Sequence, residues 1–186
     1  MTSDNATRLT FPPQVRLEGE GLVLREWADA DLPAMAELFD DPDIAYWTPL
    51  ASPFDTAAAH AYLGRARQER ADGLRLRLAI TADGGLPLGE VLLIRKSAND
   101  PAVSLGYTVG AAHRGQRLGA RALKVITDYA HHALGLPRVT LGIEAENGAS
   151  IAVARAVRFH LTDEPPLNAV IKGRPLALQT WAHDRP

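Results

Sequence analysis

Alternating apolar and polar positions predict a run of strands in the middle of the chain. Leucine or isoleucine at positions 74, 76, 78 and 80 alternates with other residues, as in a strand with one wet face. Similar strand-forming runs follow at 86–95 and 102–109. An Asp-Gly-Gly sequence at 83–85 and an Asn-Asp-Pro sequence at 99–101 favour turns between them. The three segments are therefore predicted to form a meander.

Helical spacing of apolar residues predicts helices on both sides of this meander. Capping Asp or Asn residues and stopping Gly or Pro residues bound four of them, at about 31–40, 55–70, 118–133 and 147–158. The first is expected to close at Asp41-Pro42. Further strands are predicted at 16–26, 138–145, 159–164 and 174–182. This order of elements indicates a mixed α+β sheet protein.

Composition narrows the class of protein. The chain has 186 residues, of which 46% are hydrophobic, so it is long enough to bury a core. We expect one domain over 16–186, preceded by a flexible arm over 1–15. The 13 prolines include a Pro-Pro pair within that arm, and no secretory signal pattern is present. A cytoplasmic location is expected by default.

Charge and cysteine usage exclude several kinds of chemistry. The formal net charge is −2, which argues against nucleic acid as a partner. No cysteine is present, so disulfides, thiolate metal sites and a cysteine nucleophile are excluded. No apolar run approaches the ~18 residues of a membrane helix, and no His, Asp or Glu spacing indicates a metal site.

The segment 110–120, between a predicted strand and the long helix, is the strongest candidate for a binding site. The first turn of a helix has unpaired N–H groups and partial positive charge, which suits phosphate. Arg114, Arg117 and Arg121 add charge, while Gly115 and Gly119 permit close approach of a diphosphate. An ordinary strand-to-helix connection with a solvated basic cluster is the alternative. The segment is not a Walker loop and is a poor dinucleotide fingerprint.

Several motifs in register carry a family resemblance. Arg-Gly-Gln-Arg-Leu-Gly at 114–119 resembles the acetyl-CoA pyrophosphate loop of the GNAT acyltransferases, and the chain over 16–182 resembles their RimJ/RimL branch. The other matching motifs are Leu-Arg-Glu-Trp at 24–27, Asp-Pro at 41–42, Trp-Thr-Pro at 47–49, Leu-Gly-Tyr at 105–107 and Asn-Gly-Ala-Ser at 147–150. The resemblance implies a GNAT fold, with a mixed sheet of six to seven strands and about four flanking helices.

The resemblance also implies how a donor is held. The family's fourth and fifth strands, here 102–109 and 138–145, are expected to splay apart around acetyl-CoA. Val109 and Ser150 are the implied catalytic residues: the Val109 N–H faces the thioester oxygen, and Ser150 protonates the leaving thiolate. The implied cofactor-binding residues are Tyr107, Thr108, Val109, Arg114, Gly115, Gln116, Arg117, Leu118, Gly119, Ala120 and Asn147.

Three residues depart from the family pattern. Arg117 replaces the usual glycine of the loop, and its N–H is expected to serve provided that its φ is negative. Ser104 replaces the usual glutamate before Leu-Gly-Tyr, which removes one candidate general base. Arg158 stands where the motif normally ends in Gly-Phe, at the entry to a strand that lines the acceptor site.

Other polar and aromatic residues have weaker claims to function. The remaining candidate bases are Glu90, Glu144, Glu146, Asp163 and Glu164, each more simply a surface charge. His113 either packs within the fold or takes part in the reaction, whereas His131 and His132 are expected to be solvated. Of Trp27, Trp47 and Trp181, Trp47 is expected to border the acceptor site. Asp40, Asp41 and Asp43 either attract a cationic acceptor or form a solvated helix end.

The favoured function is an acetyl-CoA-dependent N-acetyltransferase in which the acceptor amine attacks the thioester directly. The acceptor is a protein N-terminus or a small amine, and the absence of a clear base favours weakly basic amines. One alternative is a non-catalytic acyl-CoA-binding module. Another is transfer of a larger acyl group such as succinyl, and a further one is an interaction protein without a cofactor. No metal, nucleic acid or membrane is expected as a partner, and a homodimer is compatible with the resemblance.

Overall fold

A computed structural model describes residues 11–97, 100 and 102–186. Asn99 and Pro101 of the predicted turn, and residues 1–10 of the predicted arm, therefore lie outside the described residues. The strands are β1 (Arg16–Gly19), β2 (Leu22–Glu26), β3 (Arg75–Thr81), β4 (Gly89–Ile94), β5 (Ser104–Val109), β6 (Arg138–Glu144), β7 (His160–Leu161), β8 (Leu167–Ile171) and β9 (Arg174–Asp184). The α-helices are α1 (Leu32–Phe39), α2 (Pro42–Trp47), α3 (Thr56–Ala71), α4 (Leu118–His132) and α5 (Gly148–Ala156).

All the strands belong to one mixed sheet. Its order is β1-β2-β3-β4-β5-β6-β9-β7, with β8 also paired to β9. Every pairing is antiparallel except that of β5 with β6. The α+β class is therefore confirmed, and the described residues contain nine strands and five α-helices.

Two extra strands and one extra helix account for the difference from the expected counts. The predicted strand at 16–26 is a hairpin, because the chain turns at Glu20 and Gly21, which both have positive φ. β8 adds an outer strand that the sequence pattern did not indicate. Asp41-Pro42 begins a helix as well as following one: the Asp41 carboxylate accepts from the Ile44 N–H at 3.0 Å, and proline occupies the first helical position.

Helices cover the two faces of the sheet. α4 lies on one face, where Leu123 and Ile126 pack in a core that includes Leu24, Leu78 and Val91. The alternating residues Leu76, Leu78 and Ile80 of β3 all point into this core, as the sequence pattern predicts. On the opposite face α1 and α3 enclose a second core, rich in aromatic rings. Its members include Trp27, Phe39, Phe54 and Tyr62, with Phe39 edge-on to the other three rings at 5.2–5.9 Å.

Two local expectations are corrected by burial. Residues 11–15 of the predicted arm pack on the domain: Val15 is buried, and Arg70 donates to the carbonyls of Pro12 and Pro13. His131 is fully buried, whereas His132 is exposed. The carbonyl of Leu136 accepts from the Nδ1–H of His131 at 2.7 Å, so the neutral ring leaves Nε2 as an acceptor toward Nδ1 of His183 at 2.9 Å.

Among the described helices, none is long and apolar enough to span a membrane. α3 and α4 are the longest, with 16 and 15 residues, and both carry several charged side chains.

Candidate functional site

The two neighbouring parallel strands β5 and β6 diverge almost from their start. Their pairing in the described chain is Ser104 with Thr140 alone. The Thr140 N–H donates to the Val103 carbonyl at 3.0 Å, and the hydroxyls of Ser104 and Thr140 are 3.0 Å apart. Beyond this point the β6-facing edge of β5 is open. Ser104, the residue that replaces the family's glutamate, thus joins the two strands where the opening begins.

The hydrogen-bond register of β5 decides which backbone groups face that opening. The Val103 carbonyl accepts from the Thr140 N–H of β6, so the backbone groups of Val103 face β6. Backbone direction alternates along a strand, so Thr108 faces its partner Glu90 on β4. Tyr107 and Val109 direct their N–H groups to the open side. Of the three predicted backbone contacts, Tyr107 and Val109 are therefore available, whereas the backbone of Thr108 is engaged by β4.

A cleft of about 370 Å³ occupies the opening. Val109 lines it together with the second predicted catalytic residue, Ser150. The other predicted site residues that line it are Tyr107, Thr108, Arg114, Gly115, Arg117, Leu118, Gly119, Ala120 and Asn147. Gln116 is the one predicted binding residue absent from this lining. The sequence prediction thus brings together residues from β5, the following loop, α4 and α5.

The loop that enters α4 is shaped by two residues at positive φ. Gly115 has φ 80°, and Arg117, the N-cap of α4, has φ 58° and ψ 18°. The expectation of a negative φ at Arg117 is therefore wrong. Glycine adopts this left-handed conformation most easily, which explains why the family usually has glycine at this position. The first intrahelical bond runs from Arg121 N–H to the Arg117 carbonyl at 3.0 Å. The N–H groups of the first turn, from Leu118 to Ala120, are thus left for another acceptor.

Arg158, like Arg117, lies at a position whose backbone conformation favours glycine. It has φ 66° after the end of α5, at the second position where the family has glycine instead of arginine. Two of the three departures are therefore non-glycine residues held in the left-handed conformation.

Tyr107 bridges the cleft between β5 and α5. A Cβ atom at Gly119 would lie 2.9 Å from the Tyr107 ring, so the glycine admits the ring beside α4. The Tyr107 hydroxyl donates to Ser150 Oγ at 3.2 Å. Burial raises the pKa of Tyr107, an effect that its bond to Ser150 partly opposes, so the phenol stays protonated at neutral pH. Because Ser150 Oγ accepts this hydrogen bond, its own hydrogen is free to be donated.

Asn147 is fixed as the N-cap of α5. Its Oδ1 accepts from the Ser150 N–H at 3.0 Å. The side-chain NH₂ group therefore remains as the donor that can face a ligand in the cleft. The same residue pair thus both begins the helix and supplies two polar groups to the site.

The three predicted arginines of the loop have different partners. Arg114 donates to Asp41 at 2.7 Å and to Asp43 at 2.9 Å, both at the start of α2. Arg121 donates to the carbonyls of Glu20 and Gly21, so it fixes the β1–β2 turn instead of serving the loop. Arg117 is exposed and lines the cleft.

None of the five candidate bases lines the cleft. Glu90 is buried on the α3 side of the sheet, where it accepts from Trp27 Nε1 and the Tyr62 hydroxyl, and burial raises its pKa. Glu144 is held by two hydrogen bonds from Arg174, which lower its pKa. The other three, Glu146, Asp163 and Glu164, are exposed.

Sequence reasoning named Asp43 and Trp47 near the acceptor but missed Ile44, Thr48 and the helix α2 that carries this wall. Asp43, Ile44 and Thr48 line the cleft beside Trp47, the tryptophan expected near the acceptor, and His113 lines it from the loop. The Asp-Pro signal at 41–42 also marks a helix start, and it could have revealed α2. The side chains of Trp27 and Trp181 are core residues. Within the described chain, no group of three or more His, Asp or Glu residues could hold a metal ion.

Comparison with known proteins agrees with this geometry. The chain resembles "Probable N-acetyltransferase YjcK" of Bacillus subtilis (strain 168), with 32% identity over 69 residues. That match covers 37% of this chain and 38% of the relative, little more than a third of either. It supports a common family without extending to the whole length of the relative.

Similar solved structures cover nearly the whole chain. A putative ribosomal-protein-serine acetyltransferase from Vibrio cholerae has a TM-score of 0.79 at 18% identity, covering 94% of this chain and 100% of that one. RimJ of Mycobacterium smegmatis, solved with CoA-disulfide, has a TM-score of 0.76 at 21% identity, with 92% and 86% covered. RimL, a ribosomal L7/L12 α-N-protein acetyltransferase solved with coenzyme A, has a TM-score of 0.76 at 16% identity, with 91% and 98% covered. These likenesses establish the fold.

The family itself follows from the sequence. The sequence model of the acetyltransferase (GNAT) domain family matches residues 21–160, which include β2 to β6 and the whole loop before α4. The chain therefore belongs to the GNAT acetyltransferase family.

Proposed function

We propose that this protein is an acetyl-CoA-dependent N-acetyltransferase whose acceptor amine attacks the thioester directly. One observation carries the proposal: the open edge of β5 leads to the unpaired first turn of α4 inside a single cleft. An extended amide-bearing chain can pair with a strand edge, and a diphosphate can bind at a helix N-terminus. Coenzyme A joins these two groups in one molecule.

The residues of the cleft fit acetyl-CoA in charge and in shape. The N–H groups of Leu118 to Ala120 and the side chains of Arg114 and Arg117 would hold the diphosphate. The open edge of β5 at Tyr107 and Val109, with the side-chain NH₂ of Asn147, would hold the pantetheine amides. When bound, acetyl-CoA supplies an acyl group activated as a thioester.

Two groups of the chain serve the reacting end. The Val109 N–H donates a hydrogen bond to the acyl oxygen, which carries negative charge as the amine attacks. The Ser150 hydroxyl donates its proton to the departing sulfur, because Tyr107 already occupies one acceptor position of Ser150 Oγ. The amine attacks without a covalent enzyme intermediate, and the proton that its nitrogen loses as the amide forms replaces the one that Ser150 gives to the sulfur.

The acceptor proposed here is an α-amine at the N-terminus of a peptide or protein. None of the five candidate bases lines the cleft, and Asp43, the carboxylate that does, is paired with Arg114. A strongly basic amine would therefore find only the weakly basic imidazole of His113 nearby to take its proton. An α-amine has a pKa near 8, whereas a lysine side chain has one near 10.4. Far more of the α-amine is therefore neutral at pH 7. RimL, to which this fold is similar, is described as a ribosomal L7/L12 α-N-protein acetyltransferase, and it agrees with that class of acceptor.

The test combines donor binding with acetyl transfer. Isothermal titration compares acetyl-CoA, succinyl-CoA, CoA and ATP, and a thiol assay then follows CoA release with two peptides. One peptide has a free α-amine and no lysine; the other has a blocked N-terminus and one lysine. We expect binding of CoA species but not ATP, and transfer to the first peptide. CoA binding without transfer to any amine would favour the non-catalytic module, and preference for succinyl-CoA would favour the larger acyl group.

A further inference from the structure

The Arg114 side chain lies between the donor loop and α2. It lines the cleft together with Asp43, and both of its terminal nitrogens are engaged: one donates to Asp41 at 2.7 Å, the other to Asp43 at 2.9 Å. On the proposed function, this guanidinium stands where the diphosphate of acyl-CoA binds. We propose that Arg114 exchanges Asp41 and Asp43 for the diphosphate, so that donor binding releases the start of α2.

The two carboxylate partners of Arg114 differ in exposure. The side chain of Arg114 is 39% exposed, that of Asp43 is 69% exposed and that of Asp41 is 14% exposed. The pair with Asp43 contributes little, because water and salt screen it, and Asp41 keeps the Ile44 N–H as a partner when Arg114 leaves. A diphosphate carries more charge than either carboxylate, and it lies beside α4 amides that attract it independently. Each terminal nitrogen of Arg114 uses one of its two N–H groups on a carboxylate, so the planar fork cannot face the two carboxylates and also bind a diphosphate with the same pair of N–H groups.

The opposite end of α2 is held differently. Lys172 donates to the Ala45 carbonyl at 2.7 Å, and Arg174 donates to the Tyr46 carbonyl at 3.0 Å. Arg174 also stacks over the Tyr46 ring, 4.3 Å from its centroid. These contacts come from the β8–β9 hairpin and do not involve the donor loop. Release of Arg114 therefore frees the start of α2 while its end stays fixed.

The consequence is a link between donor and acceptor sides of the cleft. α2 contributes Asp43, Ile44 and Trp47 to the cleft wall. When Arg114 turns to the diphosphate, the Asp43 carboxylate loses its cation and the cleft wall at the start of α2 can adjust. Arg114 thus acts as a positioning residue for α2 as well as a ligand for the donor.

The experiment is a double-mutant cycle on CoA affinity. Isothermal titration measures the Kd of CoA for the wild type, Arg114→Ala, the double variant Asp41→Asn with Asp43→Asn, and the triple variant. Asparagine keeps the N-cap at position 41. Asp55→Asn is the matched control, because Asp55 caps α3 through the Ala58 N–H and has no contact with Arg114.

The expected result is a specific coupling. Removing the two carboxylates frees Arg114 and tightens CoA binding about three- to tenfold. Arg114→Ala weakens binding about tenfold or more, and in that background the carboxylate substitutions change the Kd little. Equal tightening in both backgrounds would show simple charge repulsion and overturn the exchange, as would unchanged affinity in the double variant. If no variant binds CoA, the proposed function itself fails.

Discussion

Two arginine–carboxylate clusters in different parts of the molecule have the same chemistry and different surroundings. The Arg77 cluster (Arg77, Glu69, Tyr62, Glu90 and Trp27) is buried beneath α3: Arg77 donates to Glu69 at 2.7 Å and to the Tyr62 hydroxyl, which donates to Glu90 at 2.5 Å. The side chain of Arg77 is only 6% exposed. The Arg114 cluster (Arg114, Asp41 and Asp43) lies at the rim of the cleft, where the side chains of Arg114 and Asp43 are 39% and 69% exposed and that of Asp41 is 14% exposed.

The difference shows that burial decides whether an arginine keeps its carboxylate partners or can exchange them for another anion. In the Arg77 cluster each group has lost its water, so its remaining partners are needed to keep it ionised or bonded. In the Arg114 cluster water or an anion can replace either carboxylate. Glu90, an attractive candidate base from sequence, belongs to the buried cluster and is unavailable to the cleft.

The largest expected effect is on the free energy of unfolding when the arginine of each cluster is removed. Arg77→Ala should lower the free energy of unfolding by about 3–5 kcal/mol, because it leaves the buried Tyr62–Glu90 pair without its cation and removes the closer of the two arginines that pair with Glu69. Arg114→Ala should lower it by about 1 kcal/mol or less. Urea denaturation of both variants checks this, and similar losses for the two would contradict the comparison.

A half-buried pair gives an intermediate case with a defined pH dependence. Glu144 is 11% exposed in its side chain and bonded twice by Arg174, and Glu144→Gln should cost about 1–2 kcal/mol at pH 7. The lowered pKa of Glu144 means that this stability is present above about pH 4.3 and is lost as pH falls through the folded-state pKa.

Urea denaturation of the wild type and Glu144→Gln at several pH values measures that difference. It should shrink as the pH falls below about 4. Asp184→Asn is the control, since its pair with Arg138 is exposed and its removal should leave stability unchanged. A difference between wild type and Glu144→Gln that persists unchanged into acid would rule out the ionised pair.

The histidine pair at the end of α4 should make stability sensitive to mild acid. Burial, and then His131, lower the pKa of His183, so the unfolded chain takes up a proton more readily than the folded one. Stability should therefore fall as pH decreases below about 6.5, by about 1 kcal/mol. His183→Asn, which can still donate to His131, should flatten this dependence in urea denaturation at pH 7.5 and 5.5. His132→Asn, on the exposed side, should not.

The smallest expected effect concerns the two left-handed arginines. Glycine relieves the positive φ, a cost on the order of 1 kcal/mol, and gives back part of that gain as added freedom of the unfolded chain. Arg117→Gly and Arg158→Gly should each raise Tm by about 1–3 °C. Calorimetry checks this, and a lowered Tm in both would show that the side chains contribute more than the strain costs. Weaker CoA binding is expected only for Arg117→Gly.

The fold and much of the cleft followed from local signals in the sequence. Alternation in β3, capping residues before α3 and α5, and the loop before α4 all act over a few residues, so they are visible without the structure. The divergence of β5 from β6 came from the family resemblance, since the contact between Ser104 and Thr140 joins residues far apart in the chain.

The sequence could not reveal which distant residues each side chain contacts. Arg114 and Arg121 are seven residues apart, in the predicted loop and the helix that follows it. Arg114 nevertheless pairs with α2, whereas Arg121 pairs with the β1–β2 turn. The burial of His131 depends on β9, and the contact of Tyr107 with Ser150 spans 43 positions. β8 was missed because its sequence, Leu-Asn-Ala-Val-Ile, does not alternate apolar with polar residues, and most of these residues are exposed.

The length of β9 has a practical consequence for any shortened form of the chain. β9 pairs with β6 along seven consecutive positions, from Arg138–Asp184 to Glu144–Leu178. The GNAT match ends at residue 160, before β9 begins. A fragment trimmed to that boundary would expose the edge of β6 as an unpaired template for other chains. Aggregation of such a fragment would reflect the lost strand, and soluble expression should require residues through 184.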